Sequence, residues 1–187
     1  MSREAFEQAV PFFVETAALV QPDQWETPAL GVWSVRDLVG HVSRAMLTVE
    51  QYATVGADRG GFGTADEIAE RGRASGRALG DDPAGAVREI ATRVLGLVGG
   101  LPDDHPMKTP AGERPLAQYL GSRVTELTIH TVDLANALGI DVEAPAECWR
   151  VTLHGLADRA VQGGTAKEVA FALTGRRALA DGFSLVT

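Results

Sequence analysis

A single cysteine, Cys148, is the only thiol in the chain. One thiol can form neither an internal disulfide nor a thiolate cluster within one chain, so any metal must be held by nitrogen and oxygen. Lysine is nearly absent: of 17 basic residues all but Lys108 and Lys167 are arginines, against 25 acids. The resulting net charge of −8 and a pI near 5.0 argue against nucleic acid or an anionic membrane as partner, because both reward a basic face. No apolar run approaches the roughly 20 residues that cross a bilayer. The first residues, Met-Ser-Arg-Glu-Ala-Phe-Glu, place two acids where a secretion signal would have a basic start and an apolar middle. A cytoplasmic protein is expected. Internal repeats and low-complexity runs are missing as well, and strand signals are scarce before the C-terminal tail.

What is present is helical periodicity. At 187 residues, with 45% hydrophobic content and a mean hydropathy of −0.01, the chain is long enough for one buried core and short for two. Residues 3–20 carry Phe6, Val10, Phe13, Ala17 and Val20 on one side, with Pro11 predicting a kink or a helix that starts in earnest there. A loop over 22–33, with two prolines and two tryptophans, is expected to cover one end of the core, with Trp25 and Trp33 buried beneath it. Ser34 and Asp37 have the spacing of a capping box, opening a helix whose buried face is Val35, Leu38, Val42, Ala45, Met46, Val49 and Tyr52. Residues 56–64 are glycine-rich and predict an irregular, mobile loop. A polar helix over 65–79 follows, then one capped by Asp82 with Pro83 at its first position and Val87, Ile90, Ala91, Val94, Leu95 and Val98 inward. Residues 101–113 read as loop, 115–138 as a long helix ending at Gly139, and 146–160 as a helix with Trp149, Val151, Leu153, Leu156 and Ala160 inward. The pattern predicts an all-α antiparallel bundle of four main helices with additions. Residues 1–165 would form the bundle, and 166–187 a tail of one short helix and an extended end packed on it.

The long helix carries Leu120, Val124, Leu127, Thr131, Leu134 and Leu138 on its apolar face. Beside that stripe, Glu126 and His130 are four residues apart, so a carboxylate and an imidazole project from the same side. The pair by itself is weak, since the same spacing makes ordinary surface hydrogen bonds. His41, two turns into the helix after Ser34 and next to its buried face, is the candidate third donor. Two imidazoles and a carboxylate suit Zn, Ni, Fe or Mn in the +2 state and leave coordination positions open for water or substrate. For each residue an ordinary reading stands beside the functional one. A buried histidine usually bonds a backbone carbonyl; Asp37 serves as cap partner of Ser34 or as acceptor for His41; Asp133, one turn past His130, orients it or faces solvent. His105 and His154 read as loop and surface residues, and Cys148 as an inert, half-buried thiol. Arg71, Arg73 and Arg77 read as a solvated face, although one of them, or Arg123, is a candidate to hold the carboxylate of an anionic ligand.

Two blocks carry a family resemblance. The run from Trp25 and Pro28 through Gly31-Val-Trp33-Ser-Val-Arg-Asp-Leu-Val-Gly-His41-Val is the first. The second is Arg123-x-x-Glu126-Leu-x-Ile-His130-x-x-Asp133-Leu-x-x-Ala137-Leu-Gly139. Together they resemble the mycothiol-dependent maleylpyruvate isomerase family, within the wider DinB-like metal-binding four-helix bundles, over residues 3–160. The resemblance implies that His41, Glu126 and His130 bind a divalent metal, usually zinc. It further implies a thiol S-transferase or isomerase, in which a low-molecular-weight thiol such as mycothiol is held as thiolate and attacks an electrophilic substrate. The isomerase itself has a further C-terminal domain, whereas 27 residues follow position 160 here. General thiol-conjugating members, or metal-binding members of no assigned reaction, are therefore the expected analogues, and maleylpyruvate is not the expected substrate. Expected partners are a small thiol and an electrophile, with the protein a monomer or homodimer. The alternative is a non-catalytic sensor or interaction module that keeps the bundle and the metal. An Fe(II) oxygenase is disfavoured because such sites typically sit in β-rich scaffolds.

Overall fold

The computed structural model describes residues 1–57 and 63–185; most of the glycine-rich loop expected at 56–64 therefore lies outside the described residues. Among the described residues there are seven helices, α1 (Ser2–Ala17), α2 (Val35–Thr54), α3 (Ala65–Ala78), α4 (Pro83–Gly100), α5 (Leu116–Leu138), α6 (Ala146–Gln162) and α7 (Ala166–Leu173). Between α4 and α5 lies a hairpin of β1 (Pro106–Thr109) and β2 (Gly112–Pro115). Helices α1, α5, α2 and α4 touch in a closed ring, which makes the all-α, DinB-like four-helix bundle; α3 packs outside on α2, and α6 on α5 and α1. Their apolar stripes meet in one core that includes Phe6, Phe13, Leu38, Met46, Leu120, Leu127 and Leu134, all fully buried. No helix among the described residues is long and apolar enough to cross a membrane.

Local chemistry explains the boundaries. Ser34 and Asp37 form the reciprocal capping box, Ser34 Oγ accepting from Asp37 N at 3.2 Å and Asp37 Oδ2 from Ser34 N at 3.2 Å. Asp37 is thus a cap. Thr64 and Glu67 do the same for α3, Asp82 accepts from Gly85 N at the start of α4, and Gly139, at φ 68°, ends α5 in the left-handed conformation that a side chain disfavours. The loop before α2 folds back on it, with Val35 N and Arg36 N donating to Thr27 O and Trp25 O.

Helix α1 starts at Ser2 and ends at Ala17 with Pro11 inside it, as the first of the two expectations for that proline has it. Three sequence expectations need correction. Residues 101–113 are not all loop: the hairpin buries Met107, and its polar, proline-flanked strands of four residues are too short to show a periodic signal. Of the apolar residues expected inward on α6, Ala160 is buried and Val151 packs on the core, but Cys148 and Thr152 complete that face and Leu153 is 57% exposed. Cys148 is fully rather than half buried, its Sγ 3.4 Å from Ala5 O, and burial pushes its thiol above the ordinary range. From the tail, α7 contacts α6 and has no buried residue.

Candidate metal centre

His41 comes from α2 and Glu126 and His130 from α5, two helices held in register by the bundle core. One donor atom from each lies within 4.8 Å of the other two. His41 Nε2 is 3.8 Å and His130 Nε2 3.6 Å from the same carboxylate oxygen, Glu126 Oε2. Ligands on one tetrahedral ion, with bonds of about 2.0–2.2 Å, stand roughly 3.4 Å apart, so small rotations of these side chains would bring all three onto one ion. The side chains are 17, 28 and 22% exposed, so the donor cluster is sunk in the surface and still reached from solvent.

The electrostatics fit a cation. Asp133 Oδ2 is 2.9 Å from His130 Nδ1 and accepts its hydrogen bond, an arrangement that turns Nε2 toward Glu126 and, once the imidazole is neutral, offers the Nε2 lone pair to a cation. Burial alone would raise the Glu126 carboxyl, but the His41 ring beside it and the charges of Arg123, His130 and His41 outweigh that and bring it down to about 2. It is therefore a carboxylate at any physiological pH. A nitrogen lone pair aimed at an anionic oxygen is unfavourable without a proton or a cation between them, and a divalent ion satisfies both donors. The donor set thus fits the ion that the sequence resemblance implied.

His41 is fixed from its other side. The Trp33 ring lies against it, with centroids 4.4 Å apart, and Trp33 Nε1 donates to Ala69 O of α3 at 3.1 Å. In the sequence, Trp33 has only the mark of a core residue. Its placement depends on Gly72 of α3, where a Cβ would come within 2.8 Å of the indole Nε1 and Cε2. The missed signal is Gly72-x-x-x-Gly76, a small-residue seam along α3 that lets it close on α2.

The remaining candidates are placed elsewhere. His105 Nε2 bonds Ala53 O at 3.1 Å and ties the loop before β1 to α2. His154 is exposed on α6, over an open groove whose walls do not include the triad. Arg73 and Arg77 both pair with Glu70, at 3.4 and 2.9 Å, along α3.

Asp133 supplies one prediction. Asp133→Asn should lower divalent-metal affinity about 10–100-fold, the usual effect of losing the carboxylate behind a ligating imidazole. Competition titration against a chromophoric chelator would measure it, and unchanged affinity would mean that the Asp133–His130 bond does not tune the donor.

Comparisons with known proteins agree with this geometry. A family model described as the mycothiol maleylpyruvate isomerase N-terminal domain matches residues 6–135, a range holding His41, Glu126, His130 and Asp133. A solved structure, "Crystal structure of the mycothiol-dependent maleylpyruvate isomerase", superposes with a TM-score of 0.62 at 18% sequence identity, which is a likeness of fold. The superposition covers 83% of this chain and 66% of that one, so this chain spans just under two thirds of that protein's length. No curated protein matches the sequence.

Proposed function

Because the chain belongs to the mycothiol maleylpyruvate isomerase N-terminal domain family, we propose that it binds one divalent metal ion through His41, Glu126 and His130 and works as a thiol-dependent S-transferase or isomerase. The observation carrying this reading is the convergence of two imidazoles and one carboxylate, all partly exposed to solvent, which supply three ligands and leave a coordination position of a divalent ion to water or substrate. Structural zinc sites are typically closed by four protein ligands, whereas an open position is the mark of chemistry. Zinc suits the donor set best, with Ni, Fe and Mn as alternatives.

Each side chain has a part in that reading. His41 and His130 present neutral nitrogens, and Glu126 one negative charge that offsets half of a divalent ion's. Asp133 holds the Nδ1 proton of His130, and Trp33 limits the swing of the His41 ring. A divalent ion bound there supplies positive charge that stabilises a small thiol as its thiolate, which at a pKa of roughly 8.5 is otherwise a minor species at neutral pH. The thiolate is the nucleophile toward an electrophilic partner. The functional unit under this reading is the bundle of residues 1–165, with 166–187 an appended tail, and the cytoplasm, where small thiols are kept reduced, is its place of work.

Isothermal titration of the zinc-loaded protein with mycothiol and with other small thiols tests the proposal, followed by reaction of the complex with a test electrophile. Saturable thiol binding at one site per chain, and conjugation faster than with free thiol at the same pH, are expected. Binding without conjugation would favour the non-catalytic sensor module, and the absence of both would remove the thiol reading.

A further inference from the structure

Helix α3 lies outside the ring of core helices, and among its residues only Gly72 and Gly76 are buried. Of the described residues that build the apolar core, none belongs to α3; Leu79, the residue that follows it, does. The helix is thus anchored at its C-terminal end, by Leu79 and by Arg36 Nη1 donating to Gly80 O at 3.0 Å. Its body rests on α2 through backbone approach at Gly40 and Gly76 and through the bond from Trp33 Nε1 to Ala69 O. A helix that fully buries no large side chain opens before the core does, because little apolar area is lost with it.

The Trp33 indole stands between this outer helix and the donor triad. Its Nε1 edge lies so near α3 that a Cβ on Gly72 would come within 2.8 Å of it, and its ring is 4.4 Å from the His41 imidazole at a tilt of 31°. On the triad side, His130 meets the same imidazole edge-on, at 5.2 Å and 83°. With α3 docked, the His41 ring is confined before any ion arrives, its Nε2 already 3.8 Å from Glu126 Oε2. With α3 lifted, the indole loses its hydrogen bond and its wall, and the ion itself must order the imidazole. An ion that prefers the docked form holds α3 down by the same factor, since linkage between two sites is reciprocal.

We propose that docking of α3 on α2 and occupancy of the His41–Glu126–His130 site are linked through the Trp33 indole, so that a bound divalent ion holds α3 in place and its loss releases α3. This regulation rests on the proposed metal site and adds to it an element on the outside of the bundle that responds to occupancy. Whatever lifts α3 lowers metal affinity. The link has the size of one aromatic contact, about 2–10-fold.

Hydrogen exchange of the full chain, read by mass spectrometry with and without zinc, tests the link, with zinc affinity measured by chelator competition on the same samples. Zinc should slow exchange about 2–10-fold in peptides from residues 65–79. Because zinc also slows any amide that exchanges by global unfolding, the deciding comparison is with Trp33→Leu and Trp33→Phe at matched zinc occupancy. Trp33→Leu should bind zinc about 2–10-fold more weakly and lose the added protection of α3. Trp33→Phe keeps a ring beside His41 without the Nε1 donor, so it should bind zinc more tightly than Trp33→Leu and still leave α3 unprotected. Thermal melts accompany both variants, and where Trp33→Leu is unfolded Trp33→Phe decides. Zinc binding that leaves α3 exchange unchanged, or protection equal in the natural protein and the variants, overturns the link while the metal site stands. No zinc binding by the natural protein removes the site and the link together.

Discussion

His41→Ala should leave a folded, helical protein that no longer retains its divalent ion. His41 lies on α2 at the rim of the core, 17% exposed, and alanine is the better helix former, so the change costs the fold little beyond the contact with the Trp33 ring. What is lost is the only donor contributed by α2; Glu126 and His130 are left as two ligands from one helix. Removing a carboxylate behind a ligand costs about 10–100-fold in affinity, and removing the ligand itself should cost at least about 100-fold. Melting temperature gives an independent readout. A metal at about 1,000 times its Kd stabilises the folded state by about 4 kcal/mol, which for a domain of this size raises Tm by roughly 8–16 °C. That rise should be present in the natural protein and largely abolished in His41→Ala at the same metal concentration, while far-ultraviolet circular dichroism remains close to the starting spectrum. Retention of the full metal-induced shift would show that the ion binds somewhere else.

Gly40→Ala should be the more damaging change to the fold, although alanine for glycine inside a helix is ordinarily favourable by about 1 kcal/mol. A Cβ on Gly40 would lie 2.6 Å from the Ser75 carbonyl carbon and closer still to the Gly76 backbone. On the other side of the seam, a Cβ on Gly76 would come within 2.8 Å of Arg36 O and 3.1 Å of the Asp37 Cα. Both obstacles are main chain, which yields only by moving α3 off α2. The expected net loss is about 3 kcal/mol, at the upper end of overpacking effects, or a fall in Tm of roughly 6–12 °C. Gly96→Ala on α4 is the control, since nothing lies within 4 Å of a Cβ there and the site is solvent-facing. It should stabilise by up to about 1 kcal/mol. Because α3 also holds Trp33 against His41, Gly40→Ala should weaken metal binding as well, which Gly96→Ala should not do. Equal effects of the two substitutions would contradict the close α2–α3 contact.

Sequence reading succeeded where one physical signal dominated. The stripes Phe6–Val10–Phe13 and Leu120–Val124–Leu127 were legible because a buried helix face must repeat near every 3.6 residues. The caps at Ser34 and Asp82 were legible because orphan amides need a nearby oxygen. His41, Glu126 and His130 were singled out by spacing and by resemblance to a family, and the structure brings their donor atoms together. Signals that depend on the partner surface were not legible. The β1–β2 hairpin is too short for a period, and the exposed Leu153 shows that apolar character alone does not choose the inward face of α6. The roles of Gly40 and Gly76 follow from backbone approach between helices, which composition does not encode, although the four-residue glycine spacing on α3 was available. Trp25 is buried as expected and Trp33 only partly so, packed on the edge of the core; that Trp33 neighbours His41 was not legible, since 4.4 Å of contact depends on how the loop folds back over α2.

The most direct test of the account is X-ray absorption at the metal edge of the protein as isolated, with metal content measured on the same sample. The expected result is close to one divalent ion per chain, with a first shell of nitrogen and oxygen at about 2.0–2.2 Å, outer-shell scattering from two imidazoles, and no sulfur from the protein. A substoichiometric ion, or a full complement whose spectrum lacks imidazole scattering, would contradict the assignment of His41, Glu126 and His130 as its ligands.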